Sequence, residues 1–236
     1  RGRFTMPATQ ADVWALVPGR DPGQVFERAD ALIAALAPWA ALVESTPLFD
    51  YRHGKDLTGY QDGTENPTGD AAWAAALGPD GSSQVLVQRW LHFRDRFAAL
   101  PTVARDHVVG RRLVDDEEIA EAPESAHVKR TAQEDFEPPA FMLRRSMPWG
   151  DGRRHGLVFI AHVASLDTAR AQLDRMMGLD DGLQDALLAH SQAETGACYW
   201  CPPWDGQRLQ LPAVSASVLP ATPLPPPAPA VVRVCE

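Results

Sequence analysis

Hydrophobic and polar residues follow two periods along the chain, one typical of helices and one typical of strands. Apolar side chains recur three or four positions apart in Pro22–Pro38 and again in Leu166–Met177, which predicts a helix in each segment. A further helix is predicted in Phe97–Arg112, where Pro101 confines the regular part to the residues that follow it. Leu183–Gln192 is predicted to form a shorter helix.

Segments rich in β-branched and aromatic residues lie between these helices and predict strands. They are Val13–Val17, Ala41–Val43, Leu48–Tyr51, Val85–Phe93, Phe141–Met147, His155–Ala164 and Ala197–Trp200. The strand Phe141–Met147 is predicted to stop at Pro148. Helices and strands are interspersed without a regular strand–helix–strand repeat and without a glycine-rich phosphate loop. This arrangement predicts an α+β fold.

The composition changes from Ala213 onward. Six prolines and five alanines occupy the last 24 residues. A segment of this kind has little to bury, so residues 213–236 are predicted to be an extended Pro/Ala-rich tail. Val231, Val232 and Val234 follow the prolines and could form a short docking sequence at its end.

Charge and hydropathy exclude some classes of partner. The net charge is −9, with 22 basic and 31 acidic residues, which argues against a nucleic-acid surface. No apolar run approaches the roughly 20 residues of a membrane helix, and three cysteines favour a reducing compartment. We therefore expect a cytoplasmic protein with no membrane partner. Because the chain opens with RGRFTMP, we also expect that residues precede it in the natural protein.

Three short stretches carry the candidate chemistry. The first, GYQDGTENP, places Asp62 between Gly59 and Gly63, which leave space for a ligand beside the carboxylate. The alternative is an ordinary Asx-type turn. The second, SAHVKR, contains His127, for which a structural role is favoured over a ligand role when the residue is taken alone.

The third stretch, FMLRRSMPWG, is interpreted as a strand. Period-two alternation then places Met142, Arg144 and Ser146 on one face and Arg145 on the other. Arg144 and Ser146 are therefore predicted to project into one pocket. The alternative is an edge strand with two solvated arginines.

Taken together, GxxDGTENP, the AHVKR-like context of His127 and the LRRSMPWG-like run around Arg144 resemble the dye-decolorising peroxidase family. The resemblance extends from Pro47 to about Pro202. It implies two ferredoxin-like halves of the dimeric α+β barrel type, the first incomplete. The implied division is residues 1–70 for the remainder of the N-terminal half, 71–212 for the haem-binding half and 213–236 for the tail.

The resemblance also implies roles for single residues. Asp62 matches the distal acid, Arg144 the distal arginine and Ser146 a small polar distal residue. His127 matches the proximal ligand to the iron of haem b (iron protoporphyrin IX). Two more residues are implied around the haem: Arg111 as the propionate arginine, with Arg112 as the alternative, and Phe159 over the distal face. A histidine ligand also needs its second ring nitrogen held, commonly by a carboxylate, and Asp185 is the candidate for that role.

The implied function is a peroxidase that reduces hydrogen peroxide and oxidises a bulky or phenolic organic reductant such as a dye. Two alternatives within the same fold are a haem-processing, iron-releasing protein and a haem carrier without turnover. Some bacterial members of the family carry C-terminal tails that load them into protein nanocompartments. We expect a homo-oligomer. The tail makes an encapsulin-type shell a candidate partner.

Overall fold

The computed structural model describes residues 4–212 and 230–235. The chain divides into two compact units: a larger one, Arg1–Thr9 with Phe49–Cys201, and a smaller one, Gln10–Leu48 with Pro202–Glu236. The larger unit runs across the predicted boundary at residue 70, because the GxxDG loop and the predicted haem-binding half belong to the same unit. The three-part division stays a prediction.

Nine strands and six α-helices lie within the described residues. The strands are β1 (Val13–Leu16), β2 (Ala40–Thr46), β3 (Ser83–His92), β4 (Leu143–Arg144), β5 (Met147–Gly150), β6 (His155–Val163), β7 (Ser191–Ala193), β8 (Ala197–Cys201) and β9 (Ala230–Cys235). The helices are α1 (Pro22–Leu36), α2 (Gly69–Ala76), α3 (Arg94–Ala98), α4 (Thr102–Val109), α5 (His127–Thr131) and α6 (Leu166–Met177). None of these described helices is both long and apolar enough to cross a membrane.

An antiparallel sheet of six strands forms the centre of the larger unit. Its main path runs β4-β6-β3-β7, with β5 also paired to β6 and β8 also paired to β3. The two long strands approach closely at Gly156, where a Cβ atom would lie 1.9 Å from the carbonyl oxygen of Trp90. Helix α6 packs on the sheet through Ala169 and Leu173, against Leu86 and Ala161. The predicted α+β class is confirmed, and the structure adds that this sheet is antiparallel.

Two strand predictions in the larger unit are wrong. Phe141–Met147 is not one continuous strand: β4 ends at Arg144 and β5 begins at Met147, although both pair with β6 in the same register and the N–H of Arg145 bonds to the carbonyl of Ile160. Pro148 does not stop a strand but lies inside β5, which pairs only with β6 and so tolerates a residue without an N–H group. Leu48–Tyr51 is not a strand.

The predicted helix Leu183–Gln192 is also wrong. A 3₁₀ turn spans Ala186–Ala189, and β7 follows at once, pairing with β3. The carboxylate of Asp185 accepts a hydrogen bond from the backbone of Leu187 and so starts the short turn. Helices α2 and α5 were not predicted, because each is too short for its apolar period to be visible.

The smaller unit contains a parallel sheet in the order β1-β9-β2. Helix α1 begins at its N-cap Asp21, whose carboxylate accepts a hydrogen bond from the backbone N–H of Gln24 at 2.8 Å. Its buried residues, Val25 and Ala29, pack with Val232 and Val234 of β9 in one hydrophobic cluster. The predicted helix and the predicted first strand are both present.

The predicted C-terminal tail is contradicted where it is described. Residues 213–229 lie outside the described residues, but Ala230–Cys235 forms the central strand of the smaller sheet. The physical reason is the valine-rich end of the chain, since Val232 and Val234 are only 2% and 1% exposed. Among the described strands, β1 and β2 each pair with β9 alone, so both lie at sheet edges.

Candidate active site

A single cavity in the larger unit collects most of the residues singled out by the sequence. It encloses about 840 Å³ of empty space, its mouth included. Its walls are mainly apolar: Leu86, Trp90, Met142, Leu157, Phe159, Leu173, Met176, Leu187 and Leu188. Its polar lining groups are Asp62, Gln88, His92, His127, Thr131, Gln133, Arg144, Gln172 and Ser191. An apolar chamber with a few convergent polar groups is the usual form of a ligand site.

His127 begins helix α5 and lines the cavity. Its Nδ1 donates a hydrogen bond to Oδ2 of Asp185 at 2.6 Å. Asp185 is 1% exposed, and its other oxygen accepts the N–H of Leu187 at 2.8 Å, so the carboxylate is fixed from both sides. Burial lowers the pKa of His127, but the charge and hydrogen bond of Asp185 raise that pKa above its ordinary value.

This arrangement determines which nitrogen of His127 can bind a ligand. With Nδ1 bonded to Asp185, Nε2 has no hydrogen-bond partner among the described residues. A carboxylate on the second ring nitrogen is the usual arrangement for a histidine that holds a metal. The prediction that pairs His127 with Asp185 therefore agrees with the geometry.

Asp62 lies in the tight loop of the first motif. Its N–H bonds to the carbonyl of Gly54 at 3.0 Å, while Gly59 and Gly63 have φ values of 96° and 75°. These left-handed conformations explain why glycine flanks the acid. Burial raises the pKa of Asp62, Arg144 lowers it and the negative charge of Asp56 raises it, with a net rise above the ordinary value.

Arg144 ends β4, and its side chain lines the cavity together with Met142, as the alternation of the strand predicts. Its Nε is buried without a hydrogen-bond partner in the described part of the chain. Burial lowers the pKa of Arg144 and the charge of Asp62 raises it. The net result is a pKa below the ordinary value. An arginine with an unpaired buried nitrogen, facing a cavity, is suited to bind an anionic or strongly polar ligand.

Ser146 is not among the residues that line the cavity. The Ser146 hydroxyl instead accepts a 3.4 Å contact from the backbone N–H of Ile160 on the neighbouring strand β6. Arg145 is exposed, as predicted.

Arg111 is also outside the cavity lining, whereas Phe159 is part of it. The Arg111 side chain is buried and donates to the carbonyl of Asp116 at 2.8 Å. It also bonds to the carboxylates of Glu65 and Glu118. Because Glu65 belongs to the DGTENP stretch, Arg111 fastens that loop to the loop that follows α4.

Two groups of the cavity lining, His92 and Ser191, and the Asp56 carboxylate that His92 contacts were missed from the sequence. His92 on β3 bonds through Nε2 to Oδ1 of Asp56 at 2.9 Å and through Nδ1 to the hydroxyl of Ser191 at 2.8 Å. Thr58 also donates to Asp56, through both its N–H and its hydroxyl. Burial raises the pKa of Asp56, but these donors and the charge of His92 lower it to about 2.

The donor set suits a metal that is carried by an organic group. The described residues contain no group of three or more histidine, cysteine, aspartate or glutamate side chains that could hold a bare ion. His127 offers one nitrogen, and the walls around it are apolar. A flat apolar ring that carries its own metal ion would need only one such protein ligand.

Comparisons with known proteins agree with this geometry. The profile described as "Dyp-type peroxidase, C-terminal" matches residues 53–206. A dye-decolorizing peroxidase of Rhodococcus erythropolis is 33% identical over 211 residues, which cover 84% of this chain and 62% of that relative. The chain thus spans less than two thirds of the length of this relative.

Solved structures give the same result. The encapsulated DyP-type peroxidase of Mycobacterium smegmatis is similar with a TM-score of 0.76 and 28% identity, over 86% of this chain and 69% of that one. A DypB variant of Rhodococcus jostii in complex with heme has a TM-score of 0.75 and 28% identity, over 86% and 70% of the two chains. With the profile match over residues 53–206, these similarities establish that the chain belongs to the Dyp-type peroxidase family.

Proposed function

We propose that this chain is a haem-dependent peroxidase, which reduces hydrogen peroxide and oxidises phenolic or other bulky organic substrates. The observation that carries the proposal is the meeting of His127, Asp62 and Arg144 in one apolar cavity, from three segments that are far apart in the chain. The names of the relatives and the heme-bound DypB variant support it.

The cavity residues fit haem b. His127 would hold the iron through Nε2, with Asp185 fixing its ring, and Phe159 with the aliphatic side chains would contact the porphyrin. The unpaired Nε of Arg144 supplies a donor where a polar ligand is expected. Once held by His127, haem would supply the iron chemistry by which hydrogen peroxide is reduced.

Asp62 is proposed as the group that moves the proton. Its raised pKa brings the carboxylate nearer to neutral pH, so that it can accept a proton from the inner peroxide oxygen and return it to the outer one. Arg144 stabilises the negative charge that develops on the departing oxygen, because its guanidinium remains charged and is already in place.

The structure supports different roles for the other two predicted residues. We propose that Arg111 positions the DGTENP loop through Glu65, since its guanidinium is occupied by carboxylates. The predicted role of Arg111 at a propionate would require those bonds to be exchanged. A distal role for Ser146 would require its hydroxyl to turn from Ile160 toward the cavity.

The experiment is peroxide-dependent oxidation of a phenol by protein that has been loaded with haem and freed of excess. We expect turnover that needs both peroxide and protein, with the haem absorbance retained and no iron released to a chelator. Release of iron with loss of the haem band would support the haem-processing alternative instead. A stable haem band without turnover would support a carrier.

A second proposal concerns assembly. The encapsulated relative from Mycobacterium smegmatis supports placement of a homo-oligomer of this chain in a protein shell in the cytoplasm. Docking by the end of the chain would require Ala230–Cys235 to leave its sheet, where Val232 and Val234 are buried. Co-expression with an encapsulin-type shell tests this. Shells that co-purify with the chain support the proposal, and empty shells contradict it.

A further inference from the structure

A second cavity borders the main one and shares a wall with it. It encloses about 560 Å³ including its mouth, and Trp90, Leu188 and Ser191 line both cavities. Trp90 is 8% exposed and Leu188 is 3% exposed, so this wall is a packed layer of side chains. A molecule in the second cavity is therefore separated from the main cavity by single side chains.

The lining of the second cavity suits an aromatic anion. Phe4 and Phe93 offer aromatic surfaces, and Arg96 lies at the exposed side. The Arg96 guanidinium makes no hydrogen bond or ion pair with any described residue, so its charge is available. Aromatic faces beside an available cation are the features that bind a ring carrying a carboxylate.

A chain of three hydrogen-bonded groups begins at Ser191 in the shared wall. The Ser191 hydroxyl contacts His92 Nδ1 at 2.8 Å, and His92 Nε2 contacts Asp56 at 2.9 Å. A carboxylate can only accept, so when the His92 ring carries a single proton, Asp56 holds that proton on Nε2. Nδ1 is then free to accept the proton of the Ser191 hydroxyl.

We propose that the second cavity binds anionic phenols as reductants, with Arg96 holding the anionic substituent and the Ser191–His92–Asp56 chain taking the phenolic proton. This inference rests on the proposed peroxidase function and names its substrate class. The phenol gives its O–H proton to Ser191, whose own proton passes to His92 Nδ1. Asp56 stabilises the positive charge that forms on the ring. The electron crosses the wall through the indole of Trp90.

The step balances with peroxide as the oxidant. Each phenol loses one electron and one proton and leaves as a phenoxyl radical. Two phenols supply the two electrons and two protons that convert one hydrogen peroxide to two waters. His92 and Ser191 also line the main cavity, so the protons are released on the side where the water forms.

The binding half of the proposal is tested without turnover. Titration calorimetry on the haem-loaded protein compares 3-(4-hydroxyphenyl)propionate with the neutral 4-methylphenol. Arg96→Gln should raise the Kd of the anion about three- to fivefold relative to that of the neutral phenol, the scale of one exposed ion pair. The control Arg94→Gln, on the same helix, should leave both Kd values unchanged. An unchanged ratio in Arg96→Gln would overturn the site.

The proposed proton transfer through Ser191 is tested by comparing two reductants. Ferrocyanide gives an electron and no proton, so Ser191→Ala should lower the ratio of phenol to ferrocyanide turnover about a hundredfold, the lower end of the range for loss of a positioned proton acceptor. Ser191→Thr keeps the hydroxyl and should restore the ratio. An equal loss with both reductants would mean that Ser191 is structural and would overturn the relay. If wild-type protein oxidises neither reductant, the proposed function fails, and the binding titration alone decides on the site.

Discussion

The side-chain amide of Asn66 is paired with the backbone of Arg144 on both sides. Nδ2 of Asn66 donates to the carbonyl of Arg144 at 2.9 Å, and the N–H of Arg144 donates to Oδ1 of Asn66 at 2.8 Å. The last turn of the DGTENP motif thus fixes the strand that carries the cavity arginine. This hydrogen-bonded pair therefore fixes the position of Arg144 relative to Asp62.

Replacing Asn66 should therefore disturb the chemistry without touching the cavity. Asn66→Ala leaves the backbone of Arg144 without its partners, and we expect the reaction with peroxide to slow roughly ten- to hundredfold through misplacement of the guanidinium. Stopped-flow absorbance measures that rate. Asn66→Asp keeps the acceptor and loses the donor, so its rate should lie between those of the wild type and Asn66→Ala. Wild-type rates in both variants would show that the pair does not position Arg144.

Variants of the two neighbouring arginines distinguish a role in the cavity from a general effect of charge. Arg144→Leu removes the charged group from the cavity, and we expect the peroxide reaction to slow by about a hundredfold or more. Arg145 is exposed, so Arg145→Leu is the matched control and should retain the rate. A loss in the Arg145 variant instead would mean that the wrong arginine has been assigned.

Acid should remove a defined part of the stability. Because the pKa of Asp56 is lowered to about 2 from 3.8, its ionised form stabilises the fold above pH 3.8 by about 2 kcal/mol. That contribution is lost as the pH falls from 3.8 toward 2. Urea unfolding of wild type and Asp56→Asn should thus differ at pH 7 and converge in this range. Asp30→Asn, at an exposed site on α1, should differ little at any pH. A difference for Asp56→Asn that persists at pH 2 would contradict the pair with His92.

The strand Ala230–Cys235 should contribute to the stability of the smaller unit as part of its hydrophobic core. Val234 is 1% exposed, so Val234→Ala should lower the free energy of unfolding of the smaller unit by roughly 2 kcal/mol. Val43→Ala on β2, where the side chain is 51% exposed, should change it by far less. Hydrogen exchange of the backbone amides of β1 and β2 reports on this unit. Equal protection in all three proteins would mean that Ala230–Cys235 is not part of the sheet.

The sequence could predict the parts of the site that lie in short continuous motifs. Asp62 is recognisable from its flanking glycines, and Arg144 from strand alternation. Alternation does not predict that Ser146 is outside the cavity lining, because its hydroxyl contacts the backbone of Ile160 on a neighbouring strand, which no local pattern indicates. The two predicted long helices are present because their apolar periods extend over three turns or more.

Groups that meet from distant segments could not be predicted in this way. Asp56, His92 and Ser191 lie on a loop and two strands, so no spacing in the sequence relates them. The same reason applies to β9, because its valines follow a proline-rich run and pair with strands at the other end of the chain. Strand order is a property of the packed sheet, and composition alone indicated a tail.

The assignment of His127 is tested most directly by titrating haem into the purified protein and recording its absorption spectrum. We expect wild-type protein to bind one equivalent and to give the Soret band of a histidine-ligated ferric haem. His127→Ala should lose that spectrum, while His107→Ala, at an exposed site on α4, should keep it. An unchanged spectrum in His127→Ala would contradict the assignment on which the proposed function rests.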